Sequence, residues 1–180
     1  ERGQFYQPVT VLIENGLICN AHCLGCGIDA QEERSNSPIG LTDQEIITTL
    51  DYCQNAGILA YWLSGGEIFR RGELVLQILQ RYRNTGFDLQ KINTNLLPFN
   101  SSETTLAFLN KLKEAGLGQQ KNIIPLITGG LGYQPSRVPL INAINFISNF
   151  PIVFNPQEAK CSLTITGNQT MREKLAAQLK

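Results

Sequence analysis

Two periods of hydrophobic and polar residues alternate along the chain. Pro8 to Asn15 (PVTVLIEN) is β-branched and apolar, the composition of a buried strand. Across LTDQEIITTLDYCQNAG, Leu41 to Gly57, the apolar residues Ile46, Ile47, Leu50 and Cys53 fall at helical spacing. Thr42 and Glu45 form a capping box ahead of them, and Gly57 closes the helix. Ile58 to Glu67 (ILAYWLSGGE) then reads as a strand ending in a glycine pair, and Gly72 to Gly86 as an amphipathic helix stopped by glycine. The same alternation continues through a strand at Phe87 to Asn95, a helix at Ser101 to Gly116 and a strand at Lys121 to Gly130. A helix at Ser136 to Phe150, a strand at Lys160 to Asn168 and a helix start at Thr170 complete it, for about five β–α units.

Regular alternation of near-continuous apolar strands with helices predicts an α/β fold, a parallel sheet covered by helices. In such sheets ligands bind at the carboxyl ends of the strands. The chain puts its chemistry-bearing residues there. A cysteine cluster follows the first strand, Gly65-Gly66-Glu67 the second, Asn93-Thr94-Asn95 the third, Thr128-Gly129-Gly130 the fourth and Gly167-Asn168 the fifth.

Composition narrows the class. The 180 residues suit one domain with one core, and 42% hydrophobic against 17% charged residues excludes a disordered chain. Fifteen basic residues balance fifteen acidic ones, which gives no electrostatic footprint for a nucleic acid or a membrane surface. No apolar run approaches the roughly 20 residues a membrane span needs, and no signal-peptide pattern opens the chain, so a cytoplasmic protein without a membrane partner is expected. The chain begins at Glu1 and ends in the helix-like TMREKLAAQLK before any sixth strand, as a fragment of a longer protein would.

Five cysteines are an odd number, and Cys19, Cys23 and Cys26 crowd into ICNAHCLGCG as C-x3-C-x2-C. That is a poor disulfide framework and a plausible metal loop. A structural zinc site needs four protein ligands, so His22 or Cys53 would have to complete it. His22 adjoins Cys23, and Cys53 lies on the apolar side of a helix. A [4Fe–4S] cluster held by three cysteines instead leaves one iron open to a substrate or cofactor. Buried thiols without metal are the bland alternative, the expected state of Cys53 and Cys161.

The C-x3-C-x2-C loop after the first strand, with SGGE (Ser64 to Glu67) after the second, resembles the radical S-adenosylmethionine (SAM) enzymes, and the resemblance covers almost the whole chain. It implies a partial (β/α) barrel, with residues 1–180 forming a radical SAM core. By this resemblance Cys19, Cys23 and Cys26 hold the cluster, and Gly65, Gly66 and Glu67 meet the amino group of SAM. Asn93, Asn95 and Thr128 fall where the family contacts the SAM ribose and carboxylate. ITGNQT resembles its fifth-strand adenine motif, which carries Ile165 and Gly167 over, with Thr170 replacing a glutamate. Gly25 stands where an aromatic residue is usual, and Ile68 where a proline is common.

The implied activity is reductive cleavage of SAM to a 5′-deoxyadenosyl radical that abstracts hydrogen from a substrate. The implied partners are a flavodoxin- or ferredoxin-type reductant and a peptide, protein or small-molecule substrate. Two other functions use the same residues, a non-catalytic iron–sulfur or zinc-binding module and a SAM binder without turnover. Simpler roles exist for each residue taken singly: Gly65 to Glu67 as an ordinary turn, Asn93, Asn95 and Thr128 as bonds to loop backbone, Trp62 and Phe69 as packing, Arg137 as surface.

Overall fold

The computed structural model describes residues 8–21, 23, 26, 28, 30, 40–96, 98–130, 138–154, 161–166 and 169–180. Among these residues five strands, β1 (Thr10–Glu14), β2 (Ala60–Ser64), β3 (Asp88–Thr94), β4 (Leu126–Gly130) and β5 (Ser162–Thr166), form one all-parallel sheet in the order β1-β2-β3-β4-β5. Five helices alternate with them: α1 (Asp43–Asn55), α2 (Gly72–Tyr82), α3 (Ser102–Ala115), α4 (Val138–Val153) and α5 (Gln169–Gln178). The strand order is sequential, and the helices pack side by side in chain order, α1 against α2, α2 against α3, α3 against α4 and α4 against α5, so they share one side of the sheet.

Each helix begins and ends for a local reason. Thr42 caps α1 by accepting the Glu45 N–H at 3.2 Å, while the Thr42 N–H donates to Glu45 Oε2 at 2.8 Å. Ser101 caps α3 by accepting the Thr104 N–H at 3.2 Å, a contact worth about 1 kcal/mol. The helix ends at Gly116, whose φ of 116° only glycine adopts without strain. α4 runs past the expected Phe150 through Pro151 to Val153. Phe150 and Val153 are both buried, so core packing extends the last turn despite the proline.

The core lies between sheet and helices. Tyr61, Leu63, Leu89, Ile92 and Ile127 from the strands meet Ile46, Leu50, Leu74, Ile78, Leu109, Leu112 and Phe146 from the helices. A file of rings crosses the helix layer, Phe69 to Phe99 at 5.3 Å, Phe99 to Phe146 at 4.7 Å and Phe146 to Phe150 at 5.9 Å between centroids. The alternate strand residues face away from the helices: Leu12 is 47% exposed, Thr164 is exposed, and Trp62, Lys91, Asn93 and Thr128 are half-buried. No helix among the described residues is long and apolar enough to cross a membrane.

Candidate functional site

The sheet face turned away from the helices, left open among the described residues, carries a row of hydrogen-bonding side chains close to the carboxyl ends of the strands. Register pairs Glu14 with Ser64, Asn93 with Thr128, and Thr128 with Thr164. Asn93 Nδ2 donates to Ser64 Oγ at 3.1 Å, which joins the two halves of the row. One step back on the same face, Lys91 Nζ sits 4.6 Å above the centroid of the Trp62 ring. Ser64, Glu14 and Thr164 are absent from the sequence-derived site, although they share the two-residue phase of Asn93 and Thr128.

The glycine pair owes its place to the neighbouring chain. Beyond the end of β1, the Gly66 N–H donates to Gly16 O at 2.9 Å and the Glu67 N–H to Ile18 O at 2.9 Å. A Cβ on Gly66 would lie 2.1 Å from Ile18 O, and one on Gly65, where φ is 126°, would lie 2.5 Å from Asn15 Oδ1. Glycine is required here so that the segment entering Cys19 can lie against the turn. Arg71 fixes the same corner, donating to the carbonyls of Asn15 and Leu41 and pairing with Asp43.

Glu67 is 1% exposed, and its carboxylate is taken up inside the protein. Oε1 accepts the Phe69 N–H at 3.0 Å and the Thr94 hydroxyl at 2.7 Å, and Oε2 accepts the Asn95 N–H. The first of these bonds caps a short 3-10 turn over Ile68–Arg71. Burial pushes the Glu67 carboxyl above its ordinary range, against the pull of these donors. The resemblance gives this carboxylate to a ligand ammonium, and in the structure it ties the turn after β2 to the end of β3.

Cys19, 6% exposed, anchors a small apolar cluster of Ala21 and Ala30 with Cys23, Cys26 and Ile28 beside it, separate from the main core. Cys19 Sγ accepts the Ala21 N–H at 3.4 Å and Asn95 Nδ2 at 3.3 Å, and Cys26 Sγ accepts the Ala30 N–H at 3.4 Å. Burial, with the charge of Glu67 adding to it, pushes the Cys19 thiol up, while its two N–H donors pull it down. Donors aimed at sulfur suit a thiolate, so the bonding of Cys19 and Cys26 fits cysteine ligands of an iron–sulfur group, whose thiolates sit on different irons. Among the described residues no three His, Cys, Asp or Glu side chains are gathered closely enough to hold a metal ion.

The remaining site residues divide. Asn93 and Thr128 share the open row, whereas the amide of Asn95 turns to Cys19 and to Asn20 Oδ1 at 3.1 Å. The Ile165 side chain lies on the helix side, where its Cδ1 and that of Leu96 would each be 2.6 Å from a Cβ on Gly129. Thr170 is exposed in the first turn of α5. Cys53 and Cys161 pack against the main core, as expected. Gly167, His22, Gly25 and Arg137 lie outside the described residues. No family model matches the chain, and no curated protein matches it.

Proposed function

We propose that this chain is the core of a radical SAM enzyme, taking up a [4Fe–4S] cluster on Cys19, Cys23 and Cys26. The observation that carries the reading is the backbone pairing of the Gly65–Glu67 turn with the segment entering Cys19. Through it, two motifs distant in sequence form one rim beside an open row of polar side chains. When bound, the cluster and SAM supply a one-electron cleavage that yields a 5′-deoxyadenosyl radical able to abstract hydrogen from a substrate.

The chain's own residues bind and orient. Ser64, Asn93 and Thr128 offer hydroxyl and amide groups suited to a ribose and a carboxylate, and the Gly65-Gly66 backbone offers carbonyls suited to an ammonium. The sheet is then an arc of a partial (β/α) barrel with the open face as its inner side. A flavodoxin- or ferredoxin-type protein supplies the electron in a cytoplasmic setting, and the substrate is a peptide, a protein or a small molecule.

A non-catalytic iron–sulfur or zinc-binding module is the second reading. It is favoured by the engagement of the Glu67 carboxylate inside the protein, which withholds it from a ligand ammonium. Anaerobic reconstitution with iron and sulfide, followed by reductant and SAM, separates the two. The enzyme gives a 4Fe–4S spectrum and 5′-deoxyadenosine, both lost in Cys23→Ala. Stoichiometric zinc with no SAM cleavage overturns the proposal.

A further inference from the structure

We infer that Asn95 is a positioning residue for Cys19, held by Glu67 so that its amide donates to the cysteine sulfur and raises the reduction potential of a cluster bound there. The inference rests on the iron–sulfur reading of the cysteine loop, and it gives Asn95 and Glu67 tasks other than contact with SAM.

The geometry forms a relay of fixed parts. Glu67 is buried at 1% exposure and takes the Asn95 backbone N–H on Oε2, while Oε1 takes the Thr94 hydroxyl at 2.7 Å. Thr94 Oγ1 in turn accepts the Leu96 N–H at 3.1 Å, so the backbone is tied on both sides of Asn95. With its backbone held, the Asn95 side chain reaches two acceptors at once, Asn20 Oδ1 at 3.1 Å and Cys19 Sγ at 3.3 Å. Two acceptors around one nitrogen define which way the amide faces, and its N–H groups point at the sulfur. Cys19 is 6% exposed, so little water competes for that sulfur.

An N–H donor stabilises negative charge on a ligating sulfur. A reduced cluster carries one more negative charge than an oxidised one, so the donor favours reduction and the potential rises. Asn95 reaches the sulfur from the end of β3, across the sheet from the loop that holds it. This donor therefore couples the electronic state of the cysteine loop to the packing of the strand ends.

The test is a redox titration of the reconstituted protein, followed by electron paramagnetic resonance, alongside iron and sulfide analysis. Asn95→Leu keeps the backbone N–H to Glu67 and removes the donor. It is expected to load iron as the parent does and to titrate at a more negative potential. Asn95→Asp keeps the size and adds like charge, and is expected to titrate lower still. Asn95→Gln, which retains an amide, should lie closer to the parent than either. Should Asn95→Leu load poorly, the Asn95→Asp titration decides alone. Parent-like potentials in Asn95→Leu and Asn95→Asp overturn the inference and leave the cluster reading standing. A parent chain that takes up no iron overturns both.

Discussion

Asn142, buried on α4, donates its side-chain amide to the carbonyl of Leu96 at 2.9 Å, and Leu96 has a φ of 63°. A branched residue in the left-handed region carries backbone strain of roughly 1–2 kcal/mol and persists only where its surroundings hold it. Leu96 is fully buried and directly follows Asn95. Replacing Asn142 with Leu takes this donor from a buried carbonyl and is expected to cost about 1–3 kcal/mol. The urea midpoint measures the loss. Faster amide exchange at Thr94, Asn95, Leu96 and Phe99 would show that it is centred on the strand end.

Glu67 should matter more for stability than its position at a rim suggests. Glu67→Ala strands the N–H groups of Phe69 and Asn95 and the Thr94 hydroxyl, with an expected cost of about 3 kcal/mol or more. Glu67→Gln keeps a carbonyl acceptor and should lose clearly less. Chemical denaturation of the three proteins gives the order, and equal stability of Glu67→Ala and the parent would contradict the clamp.

Gly66→Ala and Gly72→Ala make a controlled pair. At Gly66 the new Cβ meets Ile18 O at 2.1 Å, a backbone atom that cannot step aside, whereas at Gly72 it meets the Phe108 ring at 3.2 Å. The first change should cost about 1–3 kcal/mol or more through overpacking. The second should cost much less. Thermal melts of both variants test the contrast.

The acid side of the stability curve should register Asp51. Arg81 grips its carboxylate with Nε and Nη2, each at 2.7 Å, and Tyr82 donates its hydroxyl at 2.8 Å. The Arg81 guanidinium holds the Asp51 carboxyl below its ordinary range. A carboxyl lowered on folding stabilises above its unfolded pKa, and that contribution disappears as pH falls through the folded value. Asp51→Asn should therefore lower the melting temperature slightly at neutral pH, since the pair is largely exposed. The difference from the parent should close in acid.

Cys161 should be inert in the folded protein. Burial pushes its thiol up to about 12, and Sγ lies 3.6 Å from the carbonyl of Pro125. The reactive thiolate is then scarce at neutral pH. Iodoacetamide should label Cys161 slowly in the native protein and rapidly in urea, read by peptide mass analysis.

The fold was legible where the signals are local. Thr42 and Glu45 announce α1, Ser101 and Gly116 bracket α3, and strand-length apolar runs mark the sheet. The end of α4 was less so, because Pro151 reads as a stop and only the burial of Phe150 and Val153 overrides it. The site was legible as a set of strand ends and obscure in its bonding. The partners of Glu67 in Thr94 and Asn95 lie 27 and 28 residues on, and no pattern around Ile68–Arg71 announces them. The contact of Asn95 with Cys19 spans 76 residues and depends on how the chain packs.

Because the helices lie on one side of the sheet, neighbouring residues of one strand meet different surroundings. On β3, Ile92 and Thr94 turn toward the helices and are buried, while Lys91 and Asn93 turn away and are half-buried. A deep mutational scan of Lys91 to Thr94, beyond the register shift that lets Leu89 and Ile92 both face the core, should split into two interleaved sets, one residue out of step, when scored separately for abundance and for ligand binding. Variation at Lys91 and Asn93 can thus retarget the open face while leaving the framework that bears it intact.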